Sequence, residues 1–370
     1  MHSPRRVTLR DVAKRAEVSV AAVSDIVNRN LASKYATDTQ NRVRAAMHDL
    51  GYVAERTAQS LRRGRSGTVG FVLTRGLSNP FFARVADLVD QTLAAWDLEM
   101  QLILVSGRAE RAGELARRLI GSGVDGVIAG PLYPWDRTLV DQLAAIEGSR
   151  LPVVVFGNLE QGKFAEVVML SDRVAGEVAV DYLLGMGHRS IGLLGSAPPT
   201  ELLGKTFSNQ DGMERALDAA GLLEDAMRWF VPIEDESSPA GYLGMASRFV
   251  ERWATTAADA RPTAVVCKND QAAFALLAAL AERGIDVPGD LSVLGYDNTS
   301  EGEFVYPPLT SVDPRIDVCV GEVVDRLLRL LDRPGEIETP QASEATPRTI
   351  PASGSNRPFV AERRSVVGRT

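Results

Sequence analysis

The sequence predicts an α/β protein carrying an all-α helix-turn-helix head in front of two consecutive lobes of parallel sheet. Three observations carry that prediction. Helix-capping signals and apolar spacing near 3.6 residues crowd residues 8–51. Strand–helix alternation begins at residue 67 and starts a second series near residue 188. The charge divides along the same line: residues 1–66 hold 13 Lys or Arg against 6 Asp or Glu, a net of +7, while the rest holds 28 against 42, a net of −14. A basic head on an acidic body suits one part to phosphate and keeps the other soluble.

In the head, Thr8 and Asp11 have capping-box spacing, and Leu9, Val12, Ala13 and Ala16 follow on one helical face. "AEVS" makes a tight turn, and Ser19 is placed to cap a second helix containing Val20, Val23, Ile26 and Val27. Thr37 and Gln40 repeat the capping pattern before a third helix with Val43, Ala46, Met47 and Leu50 inward and Gly51 as its stop. Two helices joined by a short turn and buttressed by a third form a helix-turn-helix unit, which places its second helix in the major groove.

The stretches "VTLRDVAKRAEVSVAAVSDIVN" and "TQNRVRAAMHDLGYVAERTAQSLRRGRSGTVGFVL" resemble the N-terminus of the lactose-repressor (LacI) family of bacterial transcription regulators. The resemblance implies that "TAQSLRRG" is a hinge helix and that Leu61 wedges into a minor-groove step, with Arg62, Arg63 and Arg65 on phosphates. The family usually has Pro-Asn before this helix, where Ala54 and Glu55 stand here. Base readers map to Val20, Ala21 and Asp25, with Asp25 where arginine is commonest. A carboxylate accepts from the cytosine amino group, and small apolar side chains favour thymine methyls. Alternatively, Asp25 pairs with Arg29 one turn later and reads no base. Either way a half-site other than the family's common one is expected. Ala22 replaces a usual threonine, leaving Ser19, Ser24 and Asn28 to position the helix, and Lys34 and Tyr35 lie in a longer loop as backbone contacts. With Thr8, Arg29 and Thr37 these complete the expected duplex-binding set.

The body runs "TVGFVLT", "EMQLILVS", "VDGVIAG" and "PVVVFGN" as strands, with amphipathic helices between them. After "VAGEVAVDYLLGMGH" a second series opens with "SIGLLGS" and continues through "TAVVCKN" and "LSVLGYDN". Parallel sheets of this kind bind ligands beyond the strand carboxyl ends, so a cleft between the two series is the default site. "NPFF", "GHRSIGLLG", "VPGDLSVLGYDN" and "PPLTSVDP" extend the family resemblance into a two-lobed, periplasmic-binding-protein-like effector core. The expected division is a head at 1–55, a hinge at 56–66, a first lobe from 67–187 plus 314–342, and a second from 188–313 plus 343–370. The resemblance places a small-molecule, sugar-like effector against Asp172, Asn269 and Asp297, with Phe81 near the mouth. Asn209 replaces a ligand-gripping arginine, and Glu236 stands where several relatives carry an aromatic ring. Asp297 in "GYDN" has a second reading, as the organiser of a loop. The pocket is unusually acidic, which points to an amine-bearing or highly hydroxylated effector.

Other functions fit less well. Cys267 and Cys319 lack metal-ligand spacing, so neither a metal nor a cofactor is expected. His2, His48 and His188 pair with no plausible nucleophile, and His188 reads as a structural turn residue, so no catalysis is expected. No apolar run resembles a signal peptide or a membrane span, which predicts a cytoplasmic protein rather than an exported solute-binding one. No leucine heptads follow the core, so a homodimer acting on double-stranded operator DNA is expected, away from any membrane.

Overall fold

The computed structural model describes residues 7–27, 34–52, 65–105, 114, 118–119, 121–133, 136–147, 151–159, 164, 166–196, 208–236, 238–331 and 357–369. They fall into two compact units, 1–67 and 68–370.

The first unit is built from the helices Leu9–Ala16, Val20–Val27 and Thr37–Leu50. The Thr8 hydroxyl donates to the Asp11 carboxylate at 2.7 Å, and the Thr8 amide donates to the same oxygen at 2.8 Å, closing the first capping box. Glu17 in the left-handed region makes the turn, and the Ser19 hydroxyl accepts from the Ala22 amide at 3.0 Å. Val12, Val23 and Val43, all fully buried, lock the three helices together. The second capping box does not form. Ala36 is the N-cap, and the Gln40 amide reaches back to donate to the Tyr35 carbonyl at 2.9 Å. Gly51, at φ +62°, ends the third helix.

The second unit contains two sheets. One has strands in the order β2-β1-β3-β4-β5, with β1 Thr68–Leu73, β2 Glu99–Leu104, β3 Gly126–Leu132, β4 Val153–Gly157 and β5 Val167–Met169, all parallel. The other runs β11-β10-β9-β8-β6-β7, with β6 Ile191–Gly195, β7 Val231–Pro232, β8 Ala264–Cys267, β9 Ser292–Tyr296, β10 Thr310–Asp313 and β11 Phe359–Ala361. Only the β10–β11 pair is antiparallel among these described strands. The central strands β3, β4, β6, β8 and β9 are buried along their whole length, as expected for parallel strands covered on both faces.

One boundary differs from expectation. The helix Asp172–Gly185, expected in the first lobe, packs Ala175, Ala179, Val180 and Leu183 into the core of the second sheet. Its backbone touches that of the helix Asn209–Ala219 through two glycines. A Cβ on Gly176 would stand 1.9 Å from the Asn209 carbonyl oxygen, and one on Gly212 would stand 1.9 Å from that of Arg173. The chain therefore crosses into the second lobe before residue 172, not at 187. The helix Ile316–Leu331 packs Val320, Val323, Val324 and Leu327 beneath the first sheet. The stretch 332–356 lies outside the described residues.

Candidate nucleic-acid interface and effector cleft

The helix Val20–Val27 turns Val23 and Ile26 inward and leaves Val20 and Ala21 exposed, Val20 at 42%. Asp25 is half-buried beside them, and its partner is one that sequence reasoning did not weigh. The Tyr35 hydroxyl donates to the Asp25 carboxylate at 2.9 Å, and that hydrogen bond is the main cause of a raised Tyr35 pKa. Tyr35 is thus a support for Asp25 before it is anything else. Lys34 and Thr37 are exposed, as is the capped Thr8. Ser24, expected to help position the helix on the duplex, is buried, as is Ala22. Asn28, Arg29, Leu61, Arg62 and Arg63 lie outside the described residues.

In the core the polar residues converge at strand ends. Strand order reverses between β1 and β3 in one sheet and between β6 and β8 in the other, and parallel sheets open a crevice at such switch points. Arg75 follows β1, Tyr133 follows β3 and Asn158 follows β4; Ser196 follows β6, Lys268 and Asn269 follow β8, and Asp297 follows β9. Asp172, first residue of its helix, accepts from Asn158 Nδ2 at 2.8 Å and from the Tyr296 hydroxyl at 2.9 Å. Lys268 Nζ donates to Glu236 at 2.5 Å and to the Ser196 hydroxyl, while its own carbonyl accepts from Asn209 Nδ2 at 2.6 Å. Asn269 caps the helix Asp270–Glu282 by accepting from the Ala272 amide, and its Nδ2 donates to the Tyr242 hydroxyl at 3.2 Å.

The two readings of Asp297 separate cleanly. Its neighbour Asn298 organises the loop: its amide donates to Ser311, its Nδ2 to Asp313 and its Oδ1 accepts from Arg363. Asp297 contributes only backbone to that loop, at φ +106°, a conformation uncommon for a residue with a side chain. Its carboxylate is 8% exposed and accepts no hydrogen bond among the described residues. Burial, reinforced by the charges of Asp270 and Asp172, pushes its pKa well above the usual carboxylate range, with Lys268 and Arg84 opposing. Burial likewise lifts Asp172 to about 6, against its two hydrogen bonds and Lys268. Burial also acts on Glu236, but the charge and hydrogen bond of Lys268, with help from Ser196, outweigh it and hold the group low. The cleft therefore holds one acid kept ionised by Lys268 and two whose protonated form burial favours.

Five of the six expected effector residues thus gather around Lys268 and Tyr296. Phe81 does not; it packs into the first-lobe core with its ring edge-on to Phe82 at 5.3 Å. Sequence reasoning missed Arg75, Tyr133, Asn158, Ser196, Tyr242, Lys268 and Tyr296. All but Tyr242 sit at or just past the end of a predicted strand, a positional signal that was available. His188 is structural: its ring bridges the Thr263 hydroxyl at 2.8 Å and the Val367 carbonyl at 2.9 Å. Among the described residues no group of side chains could hold a metal ion, and no helix is long and apolar enough to cross a membrane.

Comparison with known proteins matches both units. Residues 8–55 match the bacterial regulatory proteins of the lacI family, and residues 180–351 match a periplasmic binding protein-like domain. The HTH-type transcriptional repressor PurR of Vibrio atlanticus (strain LGP32) is 30% identical over 307 residues, spanning 82% of this chain and 86% of that protein. PurR of Glaesserella parasuis serovar 5 (strain SH0165) is 28% identical over 356 residues, 93% of this chain and 96% of that one. Among solved structures, the lac repressor dimer bound to operator and the anti-inducer ONPF superposes with a TM-score of 0.69 at 23% identity, covering 98% of this chain and all of that one. A LacI-family regulator from Sanguibacter keddieii DSM 10542 gives a TM-score of 0.58 at 30% identity over 72% of this chain and 90% of that one. With a three-helix head, a two-sheet core and relatives aligned along most of their length, this chain belongs to the LacI family of bacterial regulatory proteins.

Proposed function

We propose that the protein is a sequence-specific DNA-binding repressor whose affinity for its operator is set by a small, sugar-like molecule held between the lobes of the core. The observation that carries this reading is the alignment with PurR repressors over 93% of the chain, head and core together. The protein is a regulator rather than an enzyme, acting in the cytoplasm. In the head, Val20, Ala21 and Asp25 read base edges while Thr8, Ser19, Lys34 and Thr37 set the helix against the backbone. Residues 56–66 form the hinge; Leu61 is the wedge, and Arg62 and Arg63 are phosphate contacts. In the core, Asp172, Asn209, Glu236, Asn269 and Asp297 line the effector site, now joined by Lys268, Asn158 and Tyr296.

The protein works as a homodimer. Phe304 and Tyr306, each 85% exposed, offer apolar surface that a second copy would cover. Control follows from linkage: an effector that binds one arrangement of the lobes better than another shifts duplex affinity by that difference and no more. Selection of bound fragments from random duplexes with the full-length protein is expected to enrich an inverted repeat. Recovery of sequences no different from the starting pool would overturn the proposal.

A further inference from the structure

Tyr35 stands one residue before the N-cap of the third helix, and its hydroxyl crosses to the second helix to donate to Asp25 Oδ2 at 2.9 Å. The phenol is itself held. Its ring packs against the head core that contains Val23 and Val43. Its carbonyl oxygen accepts from Gln40 Nε2 at 2.9 Å, and Arg44 donates to Gln40 Oε1 at 3.3 Å. A donor anchored in this way anchors its acceptor. An aspartate carboxylate otherwise turns easily about its last bond. Here one oxygen is engaged, and the other, Oδ1, accepts nothing among the described residues. Asp25 follows the exposed Ala21 by one helical turn, on the same face.

A single carboxylate oxygen only accepts, so it sorts bases by what their major-groove edges donate. Guanine shows N7 and O6 and thymine shows O4, acceptors that repel it. Adenine shows its N6 amino group with the N7 acceptor beside it, and cytosine shows its N4 amino group. A carboxylate free to swing can meet N6 while leaning away from N7. One tied to Tyr35 has lost that freedom, and the phenol's one proton is already directed at Asp25 rather than at N7.

Resting on the reading of Asp25 as a base reader, we infer that Tyr35 is a specificity-determining positioning residue: by holding Asp25 Oδ2 it leaves Oδ1 as a fixed lone acceptor, which takes the N4 amino group of cytosine and discriminates against adenine as well as guanine and thymine.

Selection from random duplexes with the full-length protein, followed by affinities for duplexes changed at one base pair per half-site, tests this. The parent is expected to prefer cytosine to adenine at one position by at least about fivefold. Tyr35→Phe keeps the ring in the core and should shrink that ratio to within about twofold; a ratio between duplexes cancels any backbone contact that Tyr35 makes. Asp25→Asn gives an answer of its own. If Tyr35 donates to the carboxamide oxygen, Nδ2 is left as the reader, and the preference should move to guanine or thymine. A carboxamide free of Tyr35 would instead pair bidentately with adenine, as the double variant Asp25→Asn/Tyr35→Phe is expected to do. A parent without the cytosine preference, a ratio undiminished in Tyr35→Phe, or adenine chosen by Asp25→Asn would overturn the role of Tyr35. Should Tyr35→Phe bind no duplex, the Asp25→Asn selection decides alone. A motif unaltered by Asp25→Asn would instead remove Asp25 as a base reader, and the inference with it.

Discussion

The head and the cleft each hold an acid with no ion-pair partner among the described residues, yet water treats the two acids differently. Asp25 is half-buried, within reach of solvent, and steadied by one phenol hydroxyl. Asp297 is almost closed off, and its carboxylate accepts no hydrogen bond among the described residues. A hydrated carboxylate can wait unpaired at little cost, so it can serve as an acceptor that a base edge merely replaces. A desolvated one is costly as a charge and takes up a proton instead, which turns it from an acceptor into a donor.

The largest test separates the two regions outright. Deleting residues 1–66 is expected to abolish duplex affinity by at least about a hundredfold, together with its steep salt dependence, and to leave thermal unfolding of the core in place. A truncated chain with unaltered affinity and salt slope would place the DNA-binding surface in the core. Next, Asp25→Arg should shift selected duplexes toward guanine at one position, worth about 1–3 kcal/mol there, while Tyr35→Phe should relax the choice without reversing it. A selected motif indifferent to both changes would reduce Asp25 to a helix residue that reads nothing.

Stability sharpens the contrast. Asp297→Asn is expected to stabilise the ligand-free protein by about 1–3 kcal/mol in urea titrations, whereas Asp25→Asn should stay within about 0.5 kcal/mol. Equal effects would mean that burial is not what distinguishes these acids. The smallest effect concerns Glu214, fully buried behind the cleft, with Gln210 Nε2 donating to it at 3.0 Å. Burial, opposed by Gln210 and reinforced by Asp211, pushes its carboxyl to about 7. The folded state thus binds this proton more tightly than the unfolded state, so the contribution is present at low pH and is lost as pH rises from about 4.5 to 7. Glu214→Gln should flatten the pH dependence in that window by about 1–2 kcal/mol; an unchanged slope would assign it to Asp172 and Asp270, both raised to about 6 by burial.

Much of this was legible in the sequence because it depends on local pattern. Capping at Thr8, the Gly51 stop and the strand–helix alternation are written in spacing alone. The Thr37–Gln40 box failed because Gln40 turned to the Tyr35 carbonyl, at the residue whose side chain is drawn to Asp25. The lobe boundary failed because alternation says that a helix covers a sheet, not which one; the meeting of Gly176 and Gly212 with facing backbone decides it. In the cleft, the acids stood out by type, but Lys268 and Asn158 became visible only through what they touch.

Arg84 ties the two lobes together. It rises from the helix Pro80–Ala94 of the first lobe and grips main-chain oxygens of the second, one of them belonging to Asp297. The staple holds the two lobes at the peptide of Asp297, so any movement of the lobes apart must first break these two hydrogen bonds.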